Sequence, residues 1–527
     1  MLIDLRTYNS AEPLQADVCI IGSGAAGIAA AREFLNTPVK VLLVESGNEK
    51  FNQQIQDLYK VQFEDCVYNG ALYGRIRTLG GSTTRWGGQA LPLTEHDFEK
   101  REWVRHSGWP ISYQEVNRFI PRALRLLQVD QLNFTTDIFP LLKLQPPPFD
   151  NEVLDYHVSK WSPAPDFKKN YIAQLKNSSN ITVVTNANVT RIDLSDARNQ
   201  VERIELTTLE NITATVRAKH FLLCTGGIEN ARILLSNTHQ VSAGIGNSND
   251  LVGRFLQDHP AAMIGILGNC SRSLVQKLFN IHYRKGLKYS VRFSLNRKSQ
   301  ERFKTMNATG GLFFRYQSDH AIQILSNAKW AIRSRSFSGK RVGELMKLSY
   351  RFPDLLVPAY YYLFHNRSVK PRTVFDINIM TEQEPNPESR VYLGRDKDRL
   401  GIPMPVIRWK LTDLSWHTAV TFARLTKEQF QQAGLGEIQL YDWLQSKEDG
   451  WERRLTDLNH HIGTTRMSES PSDGVVDTNC RVHGLHNLWI AGSSVFPTSG
   501  HSNPTLTLLA LTYRTVDTIK AILHEKN

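Results

Sequence analysis

The sequence predicts an α/β protein, α+β overall, in which a Rossmann-like domain is interleaved with a second domain built on an antiparallel sheet. Three observations predict this fold. A glycine-rich turn follows a buried strand near the N-terminus, glycines recur at later strand ends, and residues 181–224 alternate apolar and polar positions in short runs. The chain has 527 residues, of which 41% are hydrophobic, so it can bury a core large enough for two domains.

The first element is a strand that runs into a glycine turn. Residues 17–21 are mostly apolar and lead directly into the turn GSGAAG at 22–27, and a helical pattern then continues to Leu35. A second buried strand, 39–44, ends at Glu45. Glycines at this spacing allow the backbone to approach a pyrophosphate, and the helix N-terminus favours its charge. We expect Glu45 to accept from ribose hydroxyls, which indicates FAD or NAD rather than NADP.

A second glycine cluster favours FAD over NAD. Residues 77–88, RTLGGSTTRWGG, hold four glycines in nine residues, and such a loop is too flexible to persist unless a partner orders it. Residues 221–224 form an apolar run that ends in a third glycine turn at 225–227. Three glycine-bearing strand ends can converge on one large cofactor. NAD does not require that much contact, whereas FAD does.

Two loops near the C-terminus carry side chains suited to proton transfer. His460 and His461 begin one loop, and Asn503 lies in the other, within GHSNPTLT at 500–507. Between them, 487–492 reads as a buried strand that ends in a turn. An imidazole and a carboxamide that flank one strand end can receive a proton from an alcohol and hold the resulting oxyanion. We expect His461 to point away from His460 and to pack in the core.

These motifs resemble those of the glucose-methanol-choline (GMC) flavoprotein oxidoreductases, nearest to the branch that includes pyranose oxidases and fructose dehydrogenases. The similar motifs span residues 17–513, with an unlike stretch at about 265–373. In this resemblance the family's H-x-x-G-T histidine falls on His460, and its second active-site residue falls on Asn503. The motifs that carry it are the N-terminal turn, GGSTTRWGG, TGGIENARILL at 225–235, VGRFLQDHP at 252–260, EQEPNPESRVYL at 382–393, HHIGTTRM and GHSNPTLT.

The resemblance implies an FAD-dependent oxidation of an alcohol CH–OH group, with a secondary hydroxyl of a sugar, glycoside or polyol as the expected substrate. His460 would take the hydroxyl proton while the carbon-bound hydrogen leaves as hydride to flavin N5, and Asn503 would hydrogen-bond the same oxygen. His501 and Gln383 are further candidate pocket residues, although His501 equally suits a role in shaping its turn. The electron acceptor stays open between oxygen, quinone and a partner protein.

Three alternatives remain beside this reading. The same fold hosts non-redox lyases in which flavin is structural and a histidine base cleaves a carbon–carbon bond. A second alternative is the oxidation of a lipid-linked or amphiphilic alcohol at a membrane surface with quinone as acceptor. A third is a membrane-attached binding protein without turnover, against which the presence of both His460 and Asn503 argues.

The predicted cofactor-binding residues come from the turn, the later glycine loops and the resemblance together. FAD is expected to bind non-covalently, because some pyranose oxidases attach it through the histidine of a Thr-His-Trp triplet and the triplet here contains Arg85. We expect Arg85 to offer its charge to the flavin or to lie on the surface. The predicted FAD-binding residues are Gly22, Ser23, Gly24, Ala25, Ala26, Gly27, Glu45, Ser46, Arg77, Gly80, Gly81, Thr84, Arg85, Trp86, Gly87, Gly88, Val189, Thr225, Gly226, Gly227, Asn230, Gly492, Asn503, Pro504 and Thr505.

Composition and motif content indicate the cellular compartment and argue against a membrane-crossing segment and a metal site. Five scattered cysteines indicate reduced thiols and a cytoplasmic protein, and the start of the chain lacks a signal region. No apolar run approaches the roughly 20 residues that cross a bilayer. No spacing of histidines, cysteines or acids resembles a zinc or iron site, so no metal is expected. His259 resembles a recurrent structural element of the family that ties a strand end to the cofactor domain.

The domain organisation is expected to be discontinuous. The FAD-binding domain is assigned to 1–100, 156–262 and 452–527, and the substrate domain to 101–155 and 263–451, with a basic aromatic insert at about 271–373. Within the substrate domain, Phe375–Ile379 and Ser389–Leu393 are two expected strands, linked through the turn Pro385-Asn386-Pro387.

Charge is concentrated in one stretch. Residues 271–373 contain 21 Lys and Arg against 4 Asp and Glu, whereas the whole chain carries +12. Apolar and aromatic residues interleave with these bases at 330–350, and the run 355–364 is apolar and aromatic. An interfacial patch on an anionic membrane, with the enzyme peripherally attached, and a solvated flap over the active site are both open. Nucleic acid is not expected, because no nucleic-acid motif accompanies the charge.

Overall fold

The computed structural model describes residues 1–9, 12–316, 320–325, 327, 351 and 353–525. Three sheets and the helices packed on them make up this part of the chain. Of the basic, aromatic stretch predicted from sequence, residues 317–319, 326, 328–350 and 352 lie outside the described residues. The α/β class, with a Rossmann-like sheet beside a second antiparallel sheet, is confirmed.

The first sheet has eight strands in the order β1-β7-β3-β2-β10-β9-β8, with β19 beside β10. Strands β1, β7, β3, β2, β10 and β19 run parallel, and β9 and β8 continue the sheet antiparallel. The central strands are buried on both faces and are rich in Val, Ile and Leu, as parallel strands covered by helices require. The strands are β1 (Leu2–Asp4), β2 (Leu14–Ile21), β3 (Val41–Val44), β7 (Ile181–Thr185), β8 (Asn188–Leu194), β9 (Val201–Thr207), β10 (Thr213–Leu223) and β19 (Leu488–Ile490).

The second sheet is antiparallel throughout, in the order β18-β11-β15-β14-β13-β6-β5, with β12 beside β13. A core of aromatic side chains, including Phe293, Phe422 and Phe430, packs between this sheet and a long helix. The strands are β5 (Gln89–Ala90), β6 (Leu154–Trp161), β11 (Ala261–Gly268), β12 (His282–Arg284), β13 (Leu287–Leu295), β14 (Ala308–Tyr316), β15 (Thr373–Thr381) and β18 (Glu437–Leu440). A third, small sheet contains β4 (Gln62–Phe63), β16 (Arg390–Lys397) and β17 (Pro403–Arg408).

The helices lie mainly against these two large sheets. Among the described residues, they are α1 (Ala25–Arg32), α2 (Gln53–Gln56), α3 (Asn69–Tyr73), α4 (Tyr113–Asn117), α5 (Ile120–Leu126), α6 (Ile138–Leu142), α7 (Ala173–Lys176), α8 (Gly227–Ser236), α9 (Arg272–Phe279), α10 (Arg297–Phe303), α11 (Pro353–His365), α12 (Asp413–Gln432) and α13 (Thr505–Glu525). Helix α1 is almost entirely small and apolar, and it packs beside α13 against the first sheet. None of these helices combines the length and the apolarity needed to cross a bilayer.

The tertiary structure differs from the expected domain boundaries in several places. Strands β5 and β6, which were assigned with the FAD-binding segments, belong to the second sheet, where β6 pairs with β5 and β13. Residues 109–129, which were assigned to the substrate domain, contribute Trp109 and Leu124 to the first core. These assignments were wrong because they grouped residues that are close in sequence, whereas the chain passes from one sheet to the other within a few residues of each boundary.

Two further expectations need correction. Residues 375–379 lie in β15 of the antiparallel sheet, as expected, whereas 390–393 lie in β16, which pairs with β17 in the small sheet instead. In addition, 271–316 is no insert appended to the sheet, because β13 and β14 lie in the middle of it. A β-strand pattern shows that a segment is extended and leaves its partner strand undetermined.

Candidate active site and cofactor cavity

The carboxyl ends of four parallel strands meet at one edge of the first sheet. Strands β2, β3, β10 and β19 lead there into Gly22, Glu45, Cys224 and Ala491. The Cys224 N–H donates to the carbonyl of Ile21 at 2.7 Å, and this hydrogen bond aligns the ends of β10 and β2. These ends line a single cavity of about 570 Å³. Ligands of open α/β sheets bind at this edge, because the loops diverge there and helices begin.

The cavity has room where a dinucleotide would lie. A Cβ added at Gly24, Gly87 or Gly226 would meet no atom within 4 Å, although all three residues line the cavity. Gly24 and Gly226 are the N-caps of α1 and α8, and neither helix has a side-chain cap. Uncapped amide groups and the positive end of each helix dipole suit a diphosphate. The residues present therefore fit FAD.

The acidic residue after β3 is buried in the cavity wall. Its Oε2 accepts from the Ser23 N–H at 3.0 Å and from Ser23 Oγ at 2.6 Å, while Oε1 accepts from the Gly47 N–H at 2.8 Å. Glu45 therefore also holds the glycine turn. Nearby, the Arg77 guanidinium pairs with Glu229 at 2.9 Å, and its buried Nε has no partner among the described residues.

Most of the predicted FAD-binding residues line this cavity, and four lie behind its wall. Gly27 is required by packing, since a Cβ there would lie 1.8 Å from the Gly22 carbonyl oxygen. Gly80 has φ +90° and turns the glycine loop, Thr84 Oγ1 donates to the Gly81 carbonyl, and Asn230 Oδ1 accepts from Thr225. The predicted residues that line the cavity are Gly22, Ser23, Gly24, Ala25, Ala26, Glu45, Ser46, Arg77, Gly81, Arg85, Trp86, Gly87, Gly88, Val189, Thr225, Gly226, Gly227, Gly492, Asn503, Pro504 and Thr505.

His460 and Asn503 come together in the same cavity. Asn503 Nδ2 lies 3.2 Å from His460 Nε2, and both residues line the cavity although 43 positions separate them in sequence. The His460 side chain is 16% exposed. Burial, with His259 and His461 close by, holds the pKa of His460 well below its usual range. A neutral imidazole beside a carboxamide can accept a proton and donate a hydrogen bond to one substrate oxygen.

The hydrogen bonds around His460 determine which of its nitrogens carries the proton. His259 Nε2 lies 3.3 Å from the Ser499 carbonyl oxygen, which can only accept, so this nitrogen carries the His259 proton. His259 Nδ1 is then an acceptor, and it lies 2.8 Å from His460 Nδ1. His460 must therefore donate from Nδ1 and keep its lone pair on Nε2, where the Asn503 amide donates. This tautomer presents the basic nitrogen to the cavity.

Asp258 holds the backbone of this cluster. Its carboxylate accepts from the backbone N–H of His460 at 2.8 Å and of His259 at 2.6 Å, and the Tyr68 hydroxyl donates to it as well. Burial raises the pKa of Asp258 to about 7. The carboxylate lies 4.0 Å from His460 Nδ1, close enough to favour an imidazolium without bonding to it directly.

Asp258, His259 and His460 also have the proximity of a metal-ligand set, with ligand atoms within 4.8 Å of one another. The two histidine Nδ1 atoms, however, point at each other across 2.8 Å. This distance suits a shared hydrogen, whereas two nitrogens that bind one zinc at about 2.0–2.1 Å in a tetrahedron lie further apart. The arrangement therefore indicates a hydrogen-bonded pair.

Two candidate pocket residues lie outside the cavity. Gln383 is fully buried, and its Oε1 accepts from the Asp258 N–H at 2.9 Å and from Trp409 Nε1 at 2.9 Å. These bonds fix the position of the Asp258 backbone next to the site. His501 is buried with its ring 5.2 Å from that of His157. Neither side chain lines this cavity, because proximity to Asn503 or to a family motif does not determine which way a side chain points.

Sequence reasoning missed the contact made by His259. The VGRFLQDHP motif singled out His259, but the family resemblance predicted a structural role for this residue. Loop 460–465 reaches it through a two-way backbone pairing of Gln257 with Ile462, at 2.9 and 3.0 Å, which no local pattern predicts. His461, as expected, is buried; its ring lies edge-on to that of Tyr68 at 5.7 Å.

Comparison with known proteins finds similar oxidoreductases. Two GMC oxidoreductase family models match residues 164–261 and 385–512. The fructose dehydrogenase large subunit of Gluconobacter japonicus is 23% identical over 97% of this chain and 98% of its own length. Paromamine 6'-oxidase of Streptomyces fradiae is 21% identical over 95% and 91%, and pyranose 2-oxidase of Tricholoma matsutake is 21% identical over 85% and 73%.

A solved structure shares the fold. Formate oxidase of Aspergillus oryzae superposes with a TM-score of 0.55 at 16% identity, covering 98% of this chain and 100% of that one. The glycine-lined cavity at the strand ends and the two family matches lead to one conclusion. The chain carries the N- and C-terminal domains of GMC oxidoreductases at 164–261 and 385–512, and it is an FAD-dependent oxidoreductase of alcohols or sugars.

Proposed function

We propose that the protein oxidises a secondary hydroxyl of a sugar, glycoside or polyol, with His460 as general base and Asn503 as the hydrogen-bond donor to the same oxygen. The observation that carries this proposal is the 3.2 Å approach of Asn503 Nδ2 to His460 Nε2 inside the cavity. The substrate class is supported by relatives named for fructose, paromamine and pyranose. FAD, when bound, supplies the acceptor for the hydride released from carbon.

Transfer of the hydroxyl proton depends on four residues, His460, Asn503, His259 and Asp258. A substrate hydroxyl that enters between His460 and Asn503 replaces their mutual contact, donates to Nε2 and accepts from the carboxamide. As the hydroxyl proton moves to Nε2, positive charge develops on an imidazole that already donates from Nδ1 to His259. The carboxylate of Asp258 at 4.0 Å favours that charge, and Asn503 favours the negative charge on oxygen.

Anaerobic titration of the holoenzyme with sugars, glycosides, polyols and aliphatic alcohols tests the proposal. A sugar or polyol is expected to bleach the flavin absorbance fastest. A protein that no alcohol bleaches, but that cleaves a carbon–carbon bond, would instead be a lyase of this fold. Reoxidation by air or by quinone analogues then identifies the acceptor.

His259 is expected to control the tautomer of His460. His259→Leu removes the acceptor for the His460 Nδ1–H, so the imidazole is free to move its proton to Nε2, and flavin reduction is expected to slow about 10- to 100-fold, as for other residues that orient a histidine. His259→Asn keeps an acceptor oxygen near the Nδ1 position and is expected to retain most of the rate. Equal rates in the two variants would contradict this role.

The pH dependence follows from the lowered pKa of His460. The base acts when neutral, so most of the flavin-reduction rate is lost as the pH falls through that lowered pKa, below the ordinary histidine value of about 6.5. Asp258, with its pKa near 7, adds a shallow decrease as the pH falls through about 7, because its carboxylate then takes up a proton and no longer favours the imidazolium. Asp258→Asn should remove that decrease and leave the lower limb. A one-proton limb centred at about 6.5 in this variant would refute the prediction.

Denatured protein is expected to release all its FAD. Arg85 occupies the middle of the Thr84-Arg85-Trp86 triplet, and its guanidinium lies over the Phe51 ring at 4.9 Å. A guanidinium forms no covalent bond to the flavin, so acid precipitation should leave the yellow colour in the supernatant. Colour that stays in a washed pellet would show a covalent link.

A further inference from the structure

Helix α11 presents an apolar face to solvent. Its half-buried residues, 354, 355, 358 and 361, recur at helical spacing and mark the side that faces the protein. The remaining surface of an ordinary surface helix is polar. Here it is apolar and aromatic, with exposed fractions of 55% for Leu356, 42% for Val357, 52% for Tyr360, 55% for Tyr362, 68% for Leu363 and 71% for Phe364. A contiguous apolar patch of this kind marks an interaction surface.

A basic turn is attached to the same helix. The Tyr283 N–H donates to the Asn366 carbonyl at 2.7 Å, and the Tyr283 ring lies edge-on to Tyr362 at 5.1 Å. The turn after Tyr283 exposes Arg284, Lys285 and Lys288. Residues 272–288 hold five basic and no acidic side chains, and Asp354 is the single acid between 353 and 373. Positive charge therefore borders the aromatic face.

We propose that α11 and the 284–288 turn form a docking surface for an anionic phospholipid membrane. Apolar and aromatic side chains would enter the headgroup region, where tyrosine is favoured, and the neighbouring bases would contact lipid phosphates. With 13 residues, α11 is about 20 Å long, so it can lie in the interface but cannot cross it.

The charge distinguishes a membrane from a protein partner. Protein interfaces use exposed aromatic residues too, but they are depleted in lysine. Here the exposed bases Lys285 and Lys288 lie on a turn that Tyr283 joins to α11, and bases near an apolar face are the arrangement that an anionic lipid surface attracts. A nucleic acid would bind the basic side chains but would leave the apolar side chains of Leu356, Leu363 and Phe364 exposed to water.

Sedimentation of the full-length holoenzyme with vesicles tests the proposal. Vesicles of phosphatidylcholine mixed with phosphatidylglycerol should bind the protein, and vesicles of phosphatidylcholine alone should bind it weakly. Arg284→Gln/Lys285→Gln/Lys288→Gln should lower the partition coefficient about a hundredfold, since each base near the surface contributes roughly fivefold. Leu356→Ser/Leu363→Ser/Phe364→Ser should lower it at least tenfold, from lost burial of apolar area.

A matched control separates this surface from general electrostatics. Arg198→Gln/Arg217→Gln/Lys219→Gln removes three exposed bases, one from the turn between β8 and β9 and two from β10, and should change binding less than twofold. All variants should keep the flavin spectrum and the wild-type rate with a water-soluble substrate. Wild-type protein that stays in the supernatant, or a control variant that loses as much binding as the turn variant, would overturn the proposal. A dimer that the α11 variant dissociates would overturn it too, because that face would then be covered by a second copy.

Discussion

His460→Ala is expected to slow reduction of the bound flavin by substrate about 10²- to 10⁴-fold, the usual contribution of a positioned general base. The cofactor should remain bound, because the glycine turns are unchanged and the backbone N–H of residue 460 stays bonded to Asp258 at 2.8 Å. The measurement is anaerobic stopped-flow absorbance with saturating substrate. A loss in this rate constant, rather than in flavin content, isolates the proton-transfer role.

The matched control is His239→Ala. His239 is a partly exposed histidine that pairs with Asp193 at 2.9 Å on the first sheet, so its removal takes away an imidazole without altering the cavity. It should reduce at the wild-type rate. Reduction of His460→Ala within a factor of about three of wild type would exclude His460 as the base, since a general base contributes far more than that.

Gly24→Asp is expected to yield a folded protein that no longer retains FAD. Gly24 has φ −72° and ψ −162°, which other residues adopt readily, and Asp is a favoured N-cap residue, so helix α1 should form. The new carboxylate would enter the open space in the cavity, where the diphosphate is expected. Repulsion at about 5 Å with an effective dielectric near 20 amounts to roughly 3 kcal/mol, or more than a hundredfold in affinity.

The control for this variant is Ser271→Asp. Ser271 is the N-cap of α9 and is exposed, and its side chain makes no capping bond, so the substitution places the same charge at a helix start away from the cavity. Flavin absorbance per protein should stay at the wild-type value. Gly24→Asp that keeps stoichiometric FAD after gel filtration would show that the cofactor does not approach the start of α1.

The cofactor site was largely predictable because its requirements are local. A turn at Gly22, with φ +102°, demands glycine wherever it occurs, and a Cβ at Gly27 would collide with the same turn. The apolar strands on either side are buried on both faces, which leaves a continuous hydrophobic run in the sequence. Such signals can be read within about thirty residues of chain.

The surroundings of His460 were less predictable because they depend on segments far apart in sequence. Nothing local indicates that His259 Nδ1 would lie 2.8 Å from His460 Nδ1, or that Gln383 would turn behind the site to bond Asp258 and Trp409. The partner of β16 was likewise undetermined, since any extended apolar strand can pair with several others.

Sequence alone established that this chain builds a dinucleotide cavity and carries His460 and Asn503 near its C-terminus, because backbone conformation and residue chemistry are encoded position by position. Only the tertiary structure brought His259 and Asp258 beside His460, and with them the tautomer and the basicity of its imidazole. The physical reason is that a proton's position depends on every donor and acceptor within about 3 Å, and those groups come from whichever loops the packed sheets bring together.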